Sequence, residues 1–155
     1  MRRKGSRVSS RVVLLGSGVA ILLWAGTAPG PRYPRAQILD AIRQIESSGL
    51  PNPPDGDQGR AIGPYQIHEV YWRDAHAFDP SLGGRYADCR SRAYAEKVID
   101  AYMRRYAADA WLVGEAETVA RIHNGGPDGA SKSSTLGYWD KVRAELERRA
   151  DPSRR

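Results

Sequence analysis

The 155-residue chain contains a single cysteine, Cys89, so it cannot form a disulfide within itself. Its three histidines, His68, His76 and His123, are scattered and lack neighbours at the spacing of a metal site. We therefore expect no metal and no cofactor. The fold must be stabilised by its hydrophobic core, or Cys89 must pair with a second chain.

The sequence also has little net charge once its first residues are set aside. The formal charge is +6, and the first eleven residues carry five Lys or Arg and no acid. Removing these five from the 24 basic residues leaves 19, against 18 acidic ones, a net charge of +1. A nearly neutral domain gives no indication of nucleic-acid binding.

The basic start is followed by fourteen residues without charge, VVLLGSGVAILLWA. This run is short for a membrane-spanning helix, which needs about 20 residues. With the small residues AGTA at positions 25–28, the pattern predicts a secretory signal peptide over residues 1–28, and an uncleaved membrane anchor is the alternative. Residues 29–34 are then a linker, 35–149 one folded domain and 150–155 a basic tail. The domain is expected to be secreted, periplasmic or held in the cell envelope.

Hydrophobic spacing predicts five helices, over residues 35–48, 66–78, 90–110, 115–123 and 136–149. The first places Ile38 and Ile42 on one face and ends at Gly49. Other positions expected to face inward are Ile67, Val70, Tyr71, Trp139, Val142 and Leu146. Residues 50–64 are rich in proline and glycine and should form a loop or small hairpin. The predicted fold class is mainly α with a small β element.

Glu46 is the first of three carboxylates in the segment QIESSGLPNPPDGDQGRAIGPYQI, residues 44–67. It falls in the last turn of the first predicted helix, where the helix C-terminus disfavours negative charge. The pKa of its carboxyl should be raised by the dipole and by any burial, as a general acid requires. The alternative is an ordinary solvated glutamate at a helix end.

Asp57 lies eleven residues further on, in a turn-rich loop where polar neighbours should keep it ionised. One protonated and one ionised carboxyl group form the pair that glycoside hydrolysis uses. Asp55 and Asp57 could both be turn residues, since Pro-Asp and Asp-Gly favour turns. Asp55 fits that interpretation well, and spacing alone does not decide for Asp57.

Several segments, in order along the chain, resemble the invertebrate-type (destabilase-like) lysozymes: IESSG, DQGRAIGPYQIHEVYW, ADC, AYMRRYA, ARIHNGGPDG and TLGYWDKV. The resemblance runs from about residue 35 to residue 142. It implies a lysozyme-like fold, with Glu46 as the catalytic acid and Asp57 as the catalytic aspartate. It also implies hydrolysis, with retention, of the β-1,4 bond between N-acetylmuramic acid and N-acetylglucosamine in peptidoglycan. Retention would require the two carboxyl groups to lie about 5 to 5.5 Å apart.

The chain departs from this family in two respects. The family is rich in disulfides, whereas Leu50, Ile62 and Ala130 stand about where its cysteines are expected, which suggests that packing replaces the bridges. One residue is also missing between Gly59 and Gly63 relative to the family pattern.

The resemblance and the local sequence together predict the substrate-binding residues Tyr65, Gln66, Ile67, Trp72, His123 and Asn124. The main chain of the first three should form a wall of the cleft, unless it is only a strand-to-helix junction. Trp72 could stack on a sugar face or belong to the core. In some relatives His and Ser residues have been linked to a second, isopeptidase activity. His123 is expected here to be a structural or substrate-binding residue, because no Ser or Cys nucleophile can be paired with it from sequence.

The predicted activity is therefore that of a muramidase acting on the glycan strands of peptidoglycan. The first alternative is a lytic transglycosylase, in which Glu46 alone acts as acid and then as base. That group shares the glutamate-serine pair followed by a GPYQI-type element. A non-catalytic wall-binding module is a second alternative, against which the presence of both acids argues.

Overall fold

A computed structural model describes residues 32–151. Within this range the α-helices are α1 (Arg35–Ser47), α2 (Glu69–Phe78), α3 (Arg92–Tyr106), α4 (Ala108–Val113), α5 (Ala116–Gly125) and α6 (Leu136–Ala150). Two short strands, β1 (Ala61–Ile62) and β2 (Ile67–His68), pair antiparallel. The predicted mainly α class with a small hairpin is confirmed. The predicted leader, residues 29–31 of the linker and residues 152–155 of the tail lie outside the described residues.

The helix α5 lies at the centre of the domain and packs against α1, α3, α4 and α6. Its Val119, Ala120 and Ile122 are buried, as the apolar stripe of a core helix requires. The stripe predicted on α6, Trp139, Val142 and Leu146, is buried too. On the other side α2 packs along α3, where the rings of Tyr71 and Tyr102 stack with their centroids 3.5 Å apart. One continuous core thus supports the hairpin and the end of α1.

The single helix predicted over residues 90–110 is wrong, because the chain bends at Ala107. This residue has φ −145° and ψ 36°, outside the helical region, and α4 begins immediately after it. The bend accompanies the burial of Trp111, which is 2% exposed and donates its indole N–H to Asp100 Oδ1 at 2.8 Å. Burial of a large ring with its polar group satisfied offsets the interrupted helix.

The second helix begins three residues later than predicted. Gln66 has φ 48°, a left-handed conformation that an α-helix does not accept, and Ile67 pairs with Ile62 in the hairpin. The inward positions of α2 are Tyr71 and, one turn later, Ala75. Val70, expected to face inward, is 66% exposed.

Cys89 is fully buried in the 3₁₀ turn Tyr86–Arg90, and burial raises the pKa of its thiol to about 12. A thiol enclosed in the core cannot bridge to a second folded chain. Of the positions expected to replace family cysteines by packing, Ile62 is buried and Ala130 packs against the core. Leu50 is half exposed, so that expectation is wrong there, because the loop carries it to the surface.

No helix between residues 32 and 151 is long and apolar enough to cross a membrane.

Candidate active site

Glu46 lies in the last turn of α1, as its place in the sequence predicts. The next residue, Ser47, has its hydroxyl 2.9 Å from the main-chain oxygens of both Arg43 and Pro64, to either of which it can donate. Ser48 then takes a left-handed conformation that ends the helix. Ser47 therefore ties the end of α1 to the hairpin segment and not to the Glu46 carboxyl.

The Glu46 carboxyl is held between side chains from other helices. The Tyr138 hydroxyl of α6 donates to Oε1 at 2.7 Å. The His123 ring of α5 places Nε2 3.8 Å from the same oxygen, and its Nδ1 lies 3.4 Å from the Tyr71 hydroxyl of α2. The Glu46 and His123 side chains are only 19% and 4% exposed. Side chains of α5 and α6 thus contact the carboxyl at the end of α1, and α2 contacts the His123 ring behind it.

Burial raises the pKa of the Glu46 carboxyl to about 7, against the opposing effects of the Tyr138 hydrogen bond and the positive charge of Lys141. Burial also lowers the pKa of the His123 imidazole to about 4, while a hydrogen bond with the main chain of Tyr65 opposes this. Between these two values the carboxyl is protonated and the imidazole neutral. The 3.8 Å contact is therefore not an ion pair at weakly acidic pH.

Asp57 begins a short 3₁₀ turn, Asp57–Gly59, in the loop before β1. Its carboxylate accepts a hydrogen bond from Arg60 Nη2 at 2.7 Å, and His68 Nε2 lies 3.7 Å from its other oxygen. The side chain is 44% exposed. The Asp57 side chain is thus exposed whereas that of Glu46 is buried, the contrast of environments that two-carboxylate chemistry uses.

Asp55 has a different role from Asp57. Both of its carboxylate oxygens bond the guanidinium of Arg90, with Oδ2 and Nη2 2.8 Å apart. The hydrogen bonds from Arg90 hold the pKa of this exposed carboxyl below its ordinary value. The pair fastens the proline-rich loop to the Tyr86–Arg90 turn, which agrees with the interpretation of Asp55 as a loop residue.

The backbone is strained around Glu46. Within residues 32–151 the non-glycine residues with positive φ are Ser48, Asp57, Gln58 and Gln66, at 52°, 46°, 58° and 48°. Such conformations are costly for a residue with a side chain and cluster at functional sites. All four lie between the end of α1 and β2, which supports a functional site at this segment.

Glu46 and Asp57 line one cleft with a volume of about 320 Å³. Four of the predicted binding residues also line it, namely Gln66, Ile67, His123 and Asn124. The other lining residues are Ala61, His68 and Tyr71. The structure therefore brings together both predicted catalytic carboxylates and most of the predicted binding residues.

The side chains of Tyr65 and Trp72 do not line this cleft. Tyr65 is fully buried and donates its hydroxyl to Glu96 Oε1 on α3 at 2.6 Å. Trp72 is half-buried, and its indole N–H donates to the Tyr94 hydroxyl at 3.0 Å. Both polar groups are satisfied by α3. Stacking of the Trp72 ring on a sugar stays a prediction. Contact through the main chain of Tyr65 stays a prediction.

Sequence reasoning did not identify three polar residues of the site, Tyr138, Tyr71 and His68. Tyr138 is separated from Glu46 by 92 positions, a distance that periodicity cannot bridge. The available signal was the TLGYW segment, in which this tyrosine directly precedes the buried Trp139. Tyr71 was assigned only to the core, and His68 follows the GPYQI element directly.

The side chains of this site offer no metal-binding arrangement. Among residues 32–151, no group of three or more His, Cys, Asp or Glu side chains is placed to hold a metal ion. What the site can do follows from its two carboxyl groups: Glu46 is buried and protonated at weakly acidic pH, and Asp57 is exposed.

The fold is that of the lysozyme-like proteins. The lysozyme of Meretrix lusoria, in complex with Aeromonas hydrophila PliI, superposes with a TM-score of 0.59 at 34% identity over 70% of this chain and 87% of that chain. The lysozyme of Tapes japonica gives a TM-score of 0.57 at 32% identity over 69% and 86%.

The Destabilase family model matches residues 36–145. Lysozyme 1 of Crassostrea virginica is 36% identical over 70% of this chain, and invertebrate-type lysozyme 6 of Caenorhabditis elegans is 31% identical over 72%. The chain belongs to the invertebrate-type, destabilase-like lysozyme family. It spans 58% of the length of the Crassostrea virginica protein and 86% of the Caenorhabditis elegans protein.

Proposed function

We propose that this chain is a muramidase that hydrolyses the β-1,4 bond between N-acetylmuramic acid and N-acetylglucosamine in peptidoglycan. The observation that carries the proposal is the Glu46 carboxyl, which has a pKa of about 7 and lines a cleft that Asp57 shares. Membership in a lysozyme family and similarity to solved lysozymes support the same reaction class.

In the proposed reaction Glu46 is the general acid. A carboxyl group with a pKa near 7 is still substantially protonated at neutral pH and can give its proton to the glycosidic oxygen. Asp57 attacks or stabilises the anomeric carbon as that bond breaks, and water then completes a retaining hydrolysis. Burial favours the protonated form of Glu46, whereas Asp57 is exposed, so each environment suits its role.

The surroundings of the cleft suit a polymeric substrate. A second depression of about 310 Å³ shares Glu46 and Gln66 with the cleft and continues towards Pro53 and Pro54. A third, also about 310 Å³, shares His68 and continues towards Tyr86. Depressions that adjoin the cleft would give a glycan strand more surface to bind than the cleft alone.

The reaction can be tested by clearance of a peptidoglycan suspension together with product analysis. Glu46→Gln should lower the rate at least about 100-fold, since a positioned general acid contributes about 10²- to 10⁴-fold. Asp57→Asn should also cause a large loss, and the products should have reducing ends with retained configuration. Glu147→Gln, the same change at an exposed position of α6, serves as the control.

Each alternative has its own result in this experiment. Anhydromuramic ends, with nearly full activity of Asp57→Asn, would establish a lytic transglycosylase instead. Peptidoglycan binding without any cleavage would indicate a wall-binding module. Export to the cell envelope or medium also belongs to the proposal and rests on the leader sequence alone; it is tested by N-terminal sequencing of the protein recovered outside the cell.

A further inference from the structure

Tyr138 is a half-buried polar residue at the candidate active site that the proposed reaction leaves without a role. It lies in the first turn of α6, next to Trp139, whose ring is only 8% exposed and anchors the helix to the core. Its hydroxyl reaches across to α1 and donates to Oε1 of Glu46 at 2.7 Å. The Phe ring of a Tyr138→Phe variant would fill the same space, so the hydroxyl has a function that is separable from packing.

The two contacts to the Glu46 carboxyl both go to the same oxygen. Tyr138 donates to Oε1, and His123 Nε2 lies 3.8 Å from Oε1. The structure shows no protein hydrogen bond to Oε2 from residues 32–151. The carboxyl group is therefore asymmetric: one oxygen is engaged by the protein, and the other is left for the cleft that Glu46 lines.

This asymmetry determines where the acidic proton resides. Burial and the neighbouring Glu46 raise the pKa of the Tyr138 phenol well above its ordinary value, so it remains an O–H donor across the working pH range. An oxygen that accepts this hydrogen bond acts as the carbonyl oxygen of a protonated carboxylic acid. The proton of the acid form then belongs on Oε2.

We propose that Tyr138 is a positioning residue, which engages Oε1 of Glu46 and so directs the transferable proton, on Oε2, to the glycosidic oxygen. This inference rests on the proposed function. In the step, the Oε2–H bond breaks as the proton joins the glycosidic oxygen. The bond from that oxygen to the anomeric carbon breaks, and its electron pair stays on the oxygen of the leaving sugar. A carboxylate oxygen of Asp57 forms the new bond to the anomeric carbon. Glu46 is left as a carboxylate whose Oε1 keeps the Tyr138 hydrogen bond.

Other charged and titratable groups around Glu46 do not replace this contact. His123 of α5 and Tyr71 of α2 are neutral at the working pH, since burial moves both pKa values in the direction that favours the neutral form. Lys141 of α6 acts on Glu46 through charge alone. Asp57 lines the same cleft but bonds Arg60. Tyr138 is thus the donor through which the protein stabilises the ionised form of Glu46 by a hydrogen bond.

The first test does not depend on activity. In protein labelled with ¹³C at the glutamate side-chain carboxyl, the Glu46 signal, assigned with Glu46→Gln, should titrate near pH 7. In Tyr138→Phe its midpoint should rise by about one pH unit or more, because a hydrogen bond that favours the carboxylate is lost. Tyr106→Phe, which removes a hydroxyl that interacts with Asp74 away from the cleft, should leave the Glu46 midpoint unchanged. An unchanged midpoint in Tyr138→Phe would overturn the proposal.

A second measurement covers the case in which Tyr138→Phe does not fold. In wild-type protein labelled at tyrosine Cζ, the Tyr138 signal should change with pH at the same midpoint as the Glu46 signal. A Tyr138 signal that is silent through the Glu46 titration would show that the hydroxyl does not engage the carboxyl, and would overturn the proposal without any variant.

The kinetic test separates this proposal from the proposed function. In Tyr138→Phe the alkaline limb of the rate profile should move to higher pH, kcat at the optimum should fall about tenfold, and KM should hardly change. A residue with only a packing role would not move the alkaline limb. If wild type fails to cleave peptidoglycan, the proposed function fails, while the two titrations still decide the role of Tyr138. If wild type is active and only the shift is missing, the positioning role fails alone.

Discussion

Replacing Glu46 by glutamine should stabilise the folded protein at neutral and alkaline pH, although it removes the proposed acid. Burial raises the pKa of this carboxyl from 4.5 to about 7. Between these values the folded protein binds more protons than the unfolded chain. The free energy of unfolding therefore falls as the pH rises through this interval. Above about pH 7 the buried carboxylate lowers the stability of the folded protein.

The magnitude follows from the displacement of the pKa. At about 1.36 kcal/mol per pH unit, a rise from 4.5 to about 7 corresponds to about 3 kcal/mol at pH 8 and about 1.4 kcal/mol at pH 5.5. Glutamine carries no charge to bury, so Glu46→Gln should recover most of this amount at pH 8. Below about pH 4 the carboxyl is protonated in both states, and the variant should gain nothing.

His123 makes the expected pH profile of the variant asymmetric. Burial lowers the pKa of its imidazole from 6.5 to about 4, so the folded protein binds fewer protons than the unfolded chain between these values. Its contribution to stability is therefore lost as the pH falls from about 6.5 to 4. In wild type the gain from Glu46 offsets this loss over much of the same range. In Glu46→Gln the loss stands alone, and stability should fall steeply below pH 6.5.

The assay is urea denaturation of both proteins from pH 3.5 to 8.5, followed by tryptophan fluorescence, with midpoints and slopes compared at each pH. Glu147→Gln changes an exposed residue of the same kind and should stay within about 0.5 kcal/mol of wild type. If Glu46→Gln is no more stable than wild type at pH 8, burial does not penalise the carboxylate, and the reasoning behind its raised pKa is refuted.

Two further substitutions test how the loop around the site is held. Gly63→Ala should destabilise the protein by about 3 kcal/mol or more in the same denaturation assay. Gly63 has φ +72°, and a Cβ there would lie 2.1 Å from the Cys89 main-chain oxygen. A loss below about 1 kcal/mol would contradict this close approach. Arg90→Gln should leave the denaturation midpoint nearly unchanged, because the Arg90–Asp55 ion pair is exposed. It should speed proteolytic cleavage in residues 50–56, because it releases Asp55 from this pair. A cleavage rate equal to that of wild type would mean that the pair does not hold the loop.

The fold class could be predicted from local patterns, whereas two of its boundaries could not. The stripe Trp139, Val142 and Leu146 recurs at helical spacing and is buried as predicted. The bend at Ala107 has no proline or glycine to mark it; it goes with the burial of Trp111 by distant parts of the chain. The late start of α2 depends on the left-handed conformation of Gln66, which the presence of a glutamine in the sequence does not predict.

The same division holds at the site. Glu46 could be singled out because its position at a helix end has a physical consequence readable from sequence, and Asp57 because of its loop and the family pattern. Their common cleft, and the contact of Glu46 with Tyr138, depend on how α1 packs against α6, which no local pattern contains. Trp72 suited either a sugar-stacking or a core role from sequence, and the hydrogen bond of its indole N–H to Tyr94 likewise depends on how α2 packs against α3.

The enclosure of Cys89 in the core makes its thiol a probe of how often the folded protein opens. The only thiol of the chain is hidden while the native packing persists, so an added alkylating or disulfide reagent must wait for the core to open. Since α1, the hairpin and α3 all contribute to the core that encloses it, modification of Cys89 would count openings of the entire catalytic scaffold. The rate at which this single thiol is modified would therefore report how often the domain, which has no disulfide within it, unfolds.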